Sequence, residues 1–245
     1  MKCWRDAQGT AVRWYEEVGS SNDVAREWAE SSQETRGVVW AERQTAGRGR
    51  RGNAWMCPEG EGLAISYWLR PELARSDWSC LALLAAVAIT QVVIAECSIP
   101  AGIKWPNDVW VDGKKLAGVL VEVVNDVVII GMGINVNVKT FPDELAAHAS
   151  SLFLASGKEV DREAFLAKVV AAMNRWIERM AQERSRLLDE VRQYCLLRGR
   201  TVRLKTHGEV REVEVLGIGD GGELWVLSHG QPEAIWQADE IRPIL

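Results

Sequence analysis

Residues 115–137, KLAGVLVEVVNDVVIIGMGINVN, constrain the fold more than any other stretch. Two apolar runs flank Asn125 and Asp126, and they read as strands joined by a two-residue turn. Strands this apolar are either buried inside a sheet or present an edge at which two copies pair, and the sequence carries both readings.

Other segments extend that sheet. Val12 to Glu17 and GVVWAERQT (37–45) read as strands, as does LAISYWLR (63–70), which is bounded by Pro71. SSNDVAREWAES opens a helix: a serine cap is followed by an acid, with Val24 and Trp28 one turn apart. Ser76 to Cys97 reads as a long central helix, and its apolar run, Cys80 to Ala95, is too short to span a bilayer. Asp161 to about Arg184 alternates apolar and charged residues at helical spacing. Beyond Arg198 the pattern changes to short alternating strands separated by glycine turns, a small all-β unit.

The whole chain has 245 residues, 47% of them hydrophobic, and a formal net charge of -5. That acidic balance argues against general nucleic-acid or membrane-surface binding. The five cysteines are scattered without C-x-x-C spacing and the three histidines lie far apart. The expectation is reduced thiols in a cytoplasmic protein with no dedicated metal site. No secretory leader is visible in MKCWRDAQGT.

Positive charge is concentrated in one place. RQTAGRGRRG (43–52) holds four arginines and no acid. Its GRGRRG core matches the dinucleotide fingerprint by letter but joins two strands, and the NAWMCPEGEG that follows cannot wind into the required helix. Exposed backbone N–H groups and forked guanidinium donors suit a carboxylate or a phosphate; a solvated basic turn is the alternative. No P-loop, kinase signature or nucleophile elbow occurs.

Two further segments bear on chemistry. IKWPNDVWVDGKKLAG (103–118) has an extended Trp105-Pro106, then Asn107 and Asp108, with lysines at 104, 114 and 115. Lys115 begins an apolar strand, where a charge is costly unless it meets an anion. GMGINVN (131–137) ends an apolar strand with glycines that permit close backbone approach and with Asn135.

In this order, GSSND (19–23), QTAGRGRRG (44–52) with Trp55, KWPNDVWVDGKKLAG (104–118) and GMGINVN (131–137) resemble the biotin–protein ligases. The resemblance runs from about Val12 to about Leu197, and the β tail is similar to the family's small C-terminal domain. It implies an α+β fold like that of class II synthetases: a mixed central β-sheet with helices on one side, then an SH3-like β-barrel. The implied domains are a catalytic unit, 1–197, and the C-terminal unit, 198–245.

The implied reaction joins biotin to ATP as biotinyl-5′-adenylate, then passes the biotinyl group to a lysine of a biotin carboxyl carrier protein domain, with Mg2+ arriving on the ATP. Matching the family motifs, Ser20, Ser21, Asn22 and Gln44 would take biotin's ureido head. Gly47, Arg48, Gly49 and Arg50 would hold the carboxylate and phosphates, and Lys115 would reach the biotin carboxyl and the α-phosphate. Trp55 would cover the adenine, and Asn107 and Asn135 would lie on the nucleotide side, with Arg51 and Lys104 as secondary ATP contacts. The catalytic set is therefore Lys115, Arg50 and Arg48.

The chain has Ser21 where the family commonly shows threonine, which keeps the hydroxyl. Its motifs begin almost at the first residue, which implies an enzyme without the winged helix of repressor members and without a nucleic-acid partner. A lipoate or octanoate ligase or transferase of the same superfamily is the nearest competing reading, and a basic-loop nucleic-acid-binding regulator a more distant one.

Overall fold

The computed structural model describes residues 1–244. Eight strands form one sheet and five a second. The large sheet contains β1 (Lys2–Arg5), β2 (Ala11–Val18), β3 (Arg36–Gln44), β4 (Gly62–Leu69), β5 (Ala101–Lys104), β6 (Asp108–Val111), β7 (Lys114–Val124) and β8 (Val127–Asn135), in the order β1-β2-β3-β4-β8-β7-β6-β5. Only β2 and β3 pair in parallel. A parallel pair needs a crossover, and α1 (Ser21–Ser31) supplies it.

The apolar hairpin is β7–β8, with Asn125 at the turn in the left-handed region, φ 56. β8 is paired on both sides, by β4 and by β7, so of its two sequence readings the buried one holds. β1, short and mostly exposed at the sheet edge, carries too little patterning to stand out in the sequence.

Helices cover both faces of this sheet, not one as the resemblance implied. Along β3 and β4 successive side chains point to opposite faces. Val38, Trp40, Ile65 and Tyr67 pack with α2 (Leu81–Cys97) and α5 (Arg162–Tyr194), whereas Val39 and Trp68 pack under Ala25, Trp28 and Ala29 of α1. Every residue of β4 is buried in consequence, and it reads as a continuous apolar run.

The helical stretch Arg75–Cys97, which begins with a 3-10 turn, is long and apolar enough to cross a bilayer by length and composition, contrary to the sequence estimate. Its place is the protein core, between the sheet and α5. α5 is capped by Asp161, whose carboxylate accepts from the N–H groups of Glu163 and Ala164. It runs ten residues past the expected end, through a kink at Glu183, because Leu187, Leu188 and Val191 keep a buried stripe going. Two short helices, α3 (Asp143–Ala146) and α4 (Leu152–Ser156), lie between β8 and α5.

The second sheet comprises β9 (Thr201–Thr206), β10 (Glu209–Ile218), β11 (Leu224–Ser228), β12 (Gln231–Ile235) and β13 (Glu240–Pro243), all antiparallel, in the order β12-β11-β10-β9-β13. The expected SH3-like β-barrel is not present: the sheet is open, and β12 and β13 are its two edges. Each edge strand contains a proline, Pro232 or Pro243, which has no N–H for a second ladder and is confined to an edge. The buried face, including Val202, Leu204, Val213 and Val226, is continuous with the core under the large sheet.

Candidate active site

A cleft of about 260 Å³ opens over the middle of the large sheet. Its floor is where β7 and β8 run side by side with Gly118 opposite Gly133, and close approach explains the glycines. A Cβ on Gly133 would lie 2.0 Å from the Trp55 ring, and one on Gly131 would lie 2.5 Å from Asn22 Oδ1. Trp55 therefore packs directly on Gly133 and Gly118, with Lys115 Nζ 5.6 Å from its ring centre.

One end of the cleft is polar. Ser20 occupies the N-cap position of α1, yet its side chain makes no capping bond, and the residue lines the cleft. Ser21 and Asn22 follow on the first helical turn, against β4 and β8. The Ser21 N–H donates to Gln44 Oε1 at 2.7 Å, and Asn22 Nδ2 donates to Glu122 at 2.8 Å.

The other end is cationic, and the loop between β3 and β4 spreads its guanidinium groups over separate partners. Arg48 borders the polar end: it makes a bidentate contact with Asp23, at 2.7 and 2.8 Å, and lies 3.5 Å from Glu122, the acid that also holds Asn22. Arg50 donates to Asn107 Oδ1 at 2.9 Å, and Asn107 is held in turn by donating to the Val119 carbonyl at 2.8 Å. Arg51, left-handed at φ 59, turns the chain and pairs with Asp239, just ahead of β13. Lys115 pairs with Asp108 at 2.7 Å, and Lys104 sits 4.5 Å from the Trp110 ring centre.

The electrostatics follow from these contacts. The hydrogen bond from Arg48 holds the Asp23 carboxyl below its ordinary value and raises the guanidinium in return. Burial lowers Arg50 and Lys104, the latter also by repulsion from Lys115. Such half-buried cations gain most from an incoming anion, since a low-dielectric setting strengthens the pair.

Of the residues singled out from the sequence, Ser20, Ser21, Asn22, Gln44, Arg48, Gly49, Arg50, Arg51, Trp55, Lys104, Asn107 and Lys115 all line the cleft. Gly47 and Asn135 do not. Gly47 is packed beneath the loop, where a Cβ would lie 2.4 Å from the Trp55 carbonyl oxygen. Asn135 donates to the Ser150 carbonyl at 3.0 Å, a buried brace for the segment leading into α4.

Sequence reasoning missed the acids that answer these cations, Asp23, Glu122 and Asp239, and the buried Ser66. It also missed Ala238, Asp239, Glu240 and Ile241, through which the second sheet reaches the cleft. Opposite charges far apart in a chain carry no sequence signal until the fold joins them. Among the described residues no cluster of three or more His, Cys, Asp or Glu side chains could hold a metal ion.

The biotin/lipoate A/B protein ligase family matches residues 15–138. The Bacillus spizizenii bifunctional ligase/repressor BirA is 34% identical over 242 residues, 96% of this chain and 74% of that protein. The Mycobacterium tuberculosis biotin–[acetyl-CoA-carboxylase] ligase is 30% identical over 231 residues, 92% of this chain and 86% of that one. The Aquifex aeolicus biotin protein ligase, solved in complex with biotin and ATP, superimposes with a TM-score of 0.87 at 28% identity, covering 95% of this chain and 99% of that chain. On the matched motifs, the shared fold and the extent of these likenesses, the chain belongs to the biotin/lipoate A/B protein ligase family, as a biotin–protein ligase.

Proposed function

We propose that the cleft works as a two-ended site in which the polar end holds the ring of biotin and the cationic end brings the biotin carboxylate onto the α-phosphate of ATP. The reaction is ATP-dependent transfer of biotin to a carrier-protein lysine. Two anions must meet in the first step, so the barrier is largely electrostatic, and preorganised cations lower it. Lys115, Arg50 and Arg48 are the groups for that task. Arg51 and Lys104 add charge on the phosphate side, and Trp55 offers a flat apolar surface to the adenine.

Attack of a carboxylate oxygen on the α-phosphorus expels pyrophosphate and leaves a mixed anhydride. The lysine amine of a biotin carboxyl carrier domain then attacks the anhydride carbonyl, forms the amide and releases AMP. Mg2+ would arrive bound to the triphosphate and would supply charge neutralisation at the phosphates. We take residues 1–197 as the catalytic unit and 198–245 as the C-terminal unit, which contributes residues 238–241 to the rim.

The observation that carries this reading is the convergence of Lys115, the arginine loop and the Ser21–Gln44 end on one cleft. The direct test is to incubate the protein with ATP, Mg2+, an apo carrier domain and either biotin or lipoate, and to weigh the carrier by mass spectrometry. One biotinyl group on one lysine, with no mass gain from lipoate, is the expected outcome; lipoyl transfer instead would refute the assignment of the polar end.

A further inference from the structure

We infer that Ser66 and Glu122 are positioning residues that set the hydrogen-bond polarity of the polar end, and so select a ligand head carrying an N–H beside a C=O. The inference rests on the biotin reading above and deepens it.

Ser66 stands in the middle of β4, fully buried, with its Oγ 2.7 Å from Ser21 Oγ and 2.6 Å from Asn22 Oδ1. On the other side of Asn22, the Glu122 carboxylate of β7 accepts from Nδ2 at 2.8 Å. The direction of every proton in this chain is forced. A carboxylate only accepts, so Asn22 turns its NH2 to Glu122 and its carbonyl to Ser66. The carbonyl cannot donate, so Ser66 must, and its one proton is used. Ser21 must then donate to Ser66, which leaves Ser21 Oγ as an acceptor towards the cleft.

Gln44 is fixed by the same logic. Its Oε1 takes the Ser21 N–H at 2.7 Å, leaving the NH2 end as a donor to the cleft. Gly131 makes the arrangement possible, because a Cβ there would stand 2.5 Å from Asn22 Oδ1. Ser21 and Gln44 thus offer a fixed acceptor and a fixed donor, the complement of a cyclic urea, while the Ser20 hydroxyl beside them can turn either way. A dithiolane or an alkyl chain satisfies neither, and buried unpaired groups are what allow a site to reject an analogue strongly.

The test compares biotin with its cyclic-carbonate analogue, in which oxygen replaces both ureido N–H groups and the C=O is kept. Adenylate formation is followed by pyrophosphate release. Wild type should prefer biotin by roughly 100-fold or more in kcat/KM, as a site with a committed acceptor does. In Ser66→Ala the Ser21 proton is free to turn towards an acceptor. The biotin KM should then rise about tenfold with kcat within about threefold, and the preference should shrink about tenfold, the scale of one hydrogen bond. Glu122→Gln, which keeps the shape but lets Asn22 turn over, should shrink the preference too. Glu122→Gln also removes the 3.5 Å ion pair with Arg48, which keeps its shorter bidentate Asp23 contact, so the biotin-to-carbonate preference and not the absolute rate is the readout for that variant.

Folding of each variant is checked by thermal melting, and Glu122→Gln carries the comparison if Ser66→Ala does not fold. A folded variant with the wild-type preference overturns the inference while leaving the biotin reading intact. A wild type that adds no biotin to an apo carrier overturns the reading itself.

Discussion

At the scale of single residues, four of the five cleft cations are held by a polar partner: Arg48 by Asp23, Arg50 by Asn107, Arg51 by Asp239 and Lys115 by Asp108. These contacts aim the charges before any ligand arrives, which is what preorganisation means energetically. Replacing Lys115 or Arg50 by alanine should lower the rate of adenylate formation by ~10²-fold or more, with the fold unchanged by circular dichroism. Near-wild-type rates in either variant would remove it from the catalytic set. The Asp23 carboxyl offers a second check. Its pKa is depressed from 3.8 by the Arg48 hydrogen bond. A depressed acid contributes stability above its unfolded pKa and loses it as pH falls through the folded one, so the Arg48 latch persists at neutral and weakly acid pH and opens only in stronger acid. Carboxyl NMR titration should place the Asp23 midpoint below 3.8, moving up in Arg48→Ala; a midpoint unmoved by that substitution would show that the pair does not form in solution.

At the scale of elements, the loop between β3 and β4, latched in this structure through Asp23, Asn107 and Asp239, is the segment expected to close over a ligand. Residues 48–51 gather like charges that an anionic ligand would neutralise, and closure would shield an adenylate from water. Biotin with ATP should slow tryptic cutting between Arg48 and Arg51 at least several-fold. Gly133→Ala should abolish that protection, because a Cβ 2.0 Å from the Trp55 ring forces the indole off β8 and the loop with it. Equal cutting with and without ligand in wild type would rule out closure. Much of this element was legible in the sequence, where Pro58, Gly60 and Gly62 excluded a following helix and the arginines marked an anion site. Its latches were not, since Asp23, Asn107 and Asp239 come from three distant elements. Gly47 and Asn135 show the converse: a motif position holds a residue type for packing as readily as for ligand contact.

At the scale of the whole molecule, strand patterning marked β9, β10 and β11 but neither β12 and β13 nor whether the sheet would close, because alternation reports one buried face and nothing about the edges. Pro232 and Pro243 were the visible hint that β12 and β13 are edges. Likewise, periodicity marked α1 as a helix without saying which face of the sheet it covers. What the small sheet packs against has a consequence for stability. Its apolar face joins the main core, the Trp105 indole N–H donates to the Gly222 carbonyl at 2.9 Å, and Arg192 of α5 donates to the Ile218 carbonyl at 3.0 Å. A shared core predicts shared unfolding. Leu224, fully buried in β11, should cost roughly 2–5 kcal/mol when truncated to alanine. If the two sheets open together, that loss should appear equally in the slowest-exchanging amides of β8 and of β10 by native-state hydrogen exchange. If the sheets were independent, β8 would keep its wild-type protection while β10 lost it. Joint unfolding would also couple the rim residues 238–241 to the catalytic floor, so that damage in the small sheet weakens ligand binding without touching a ligand contact.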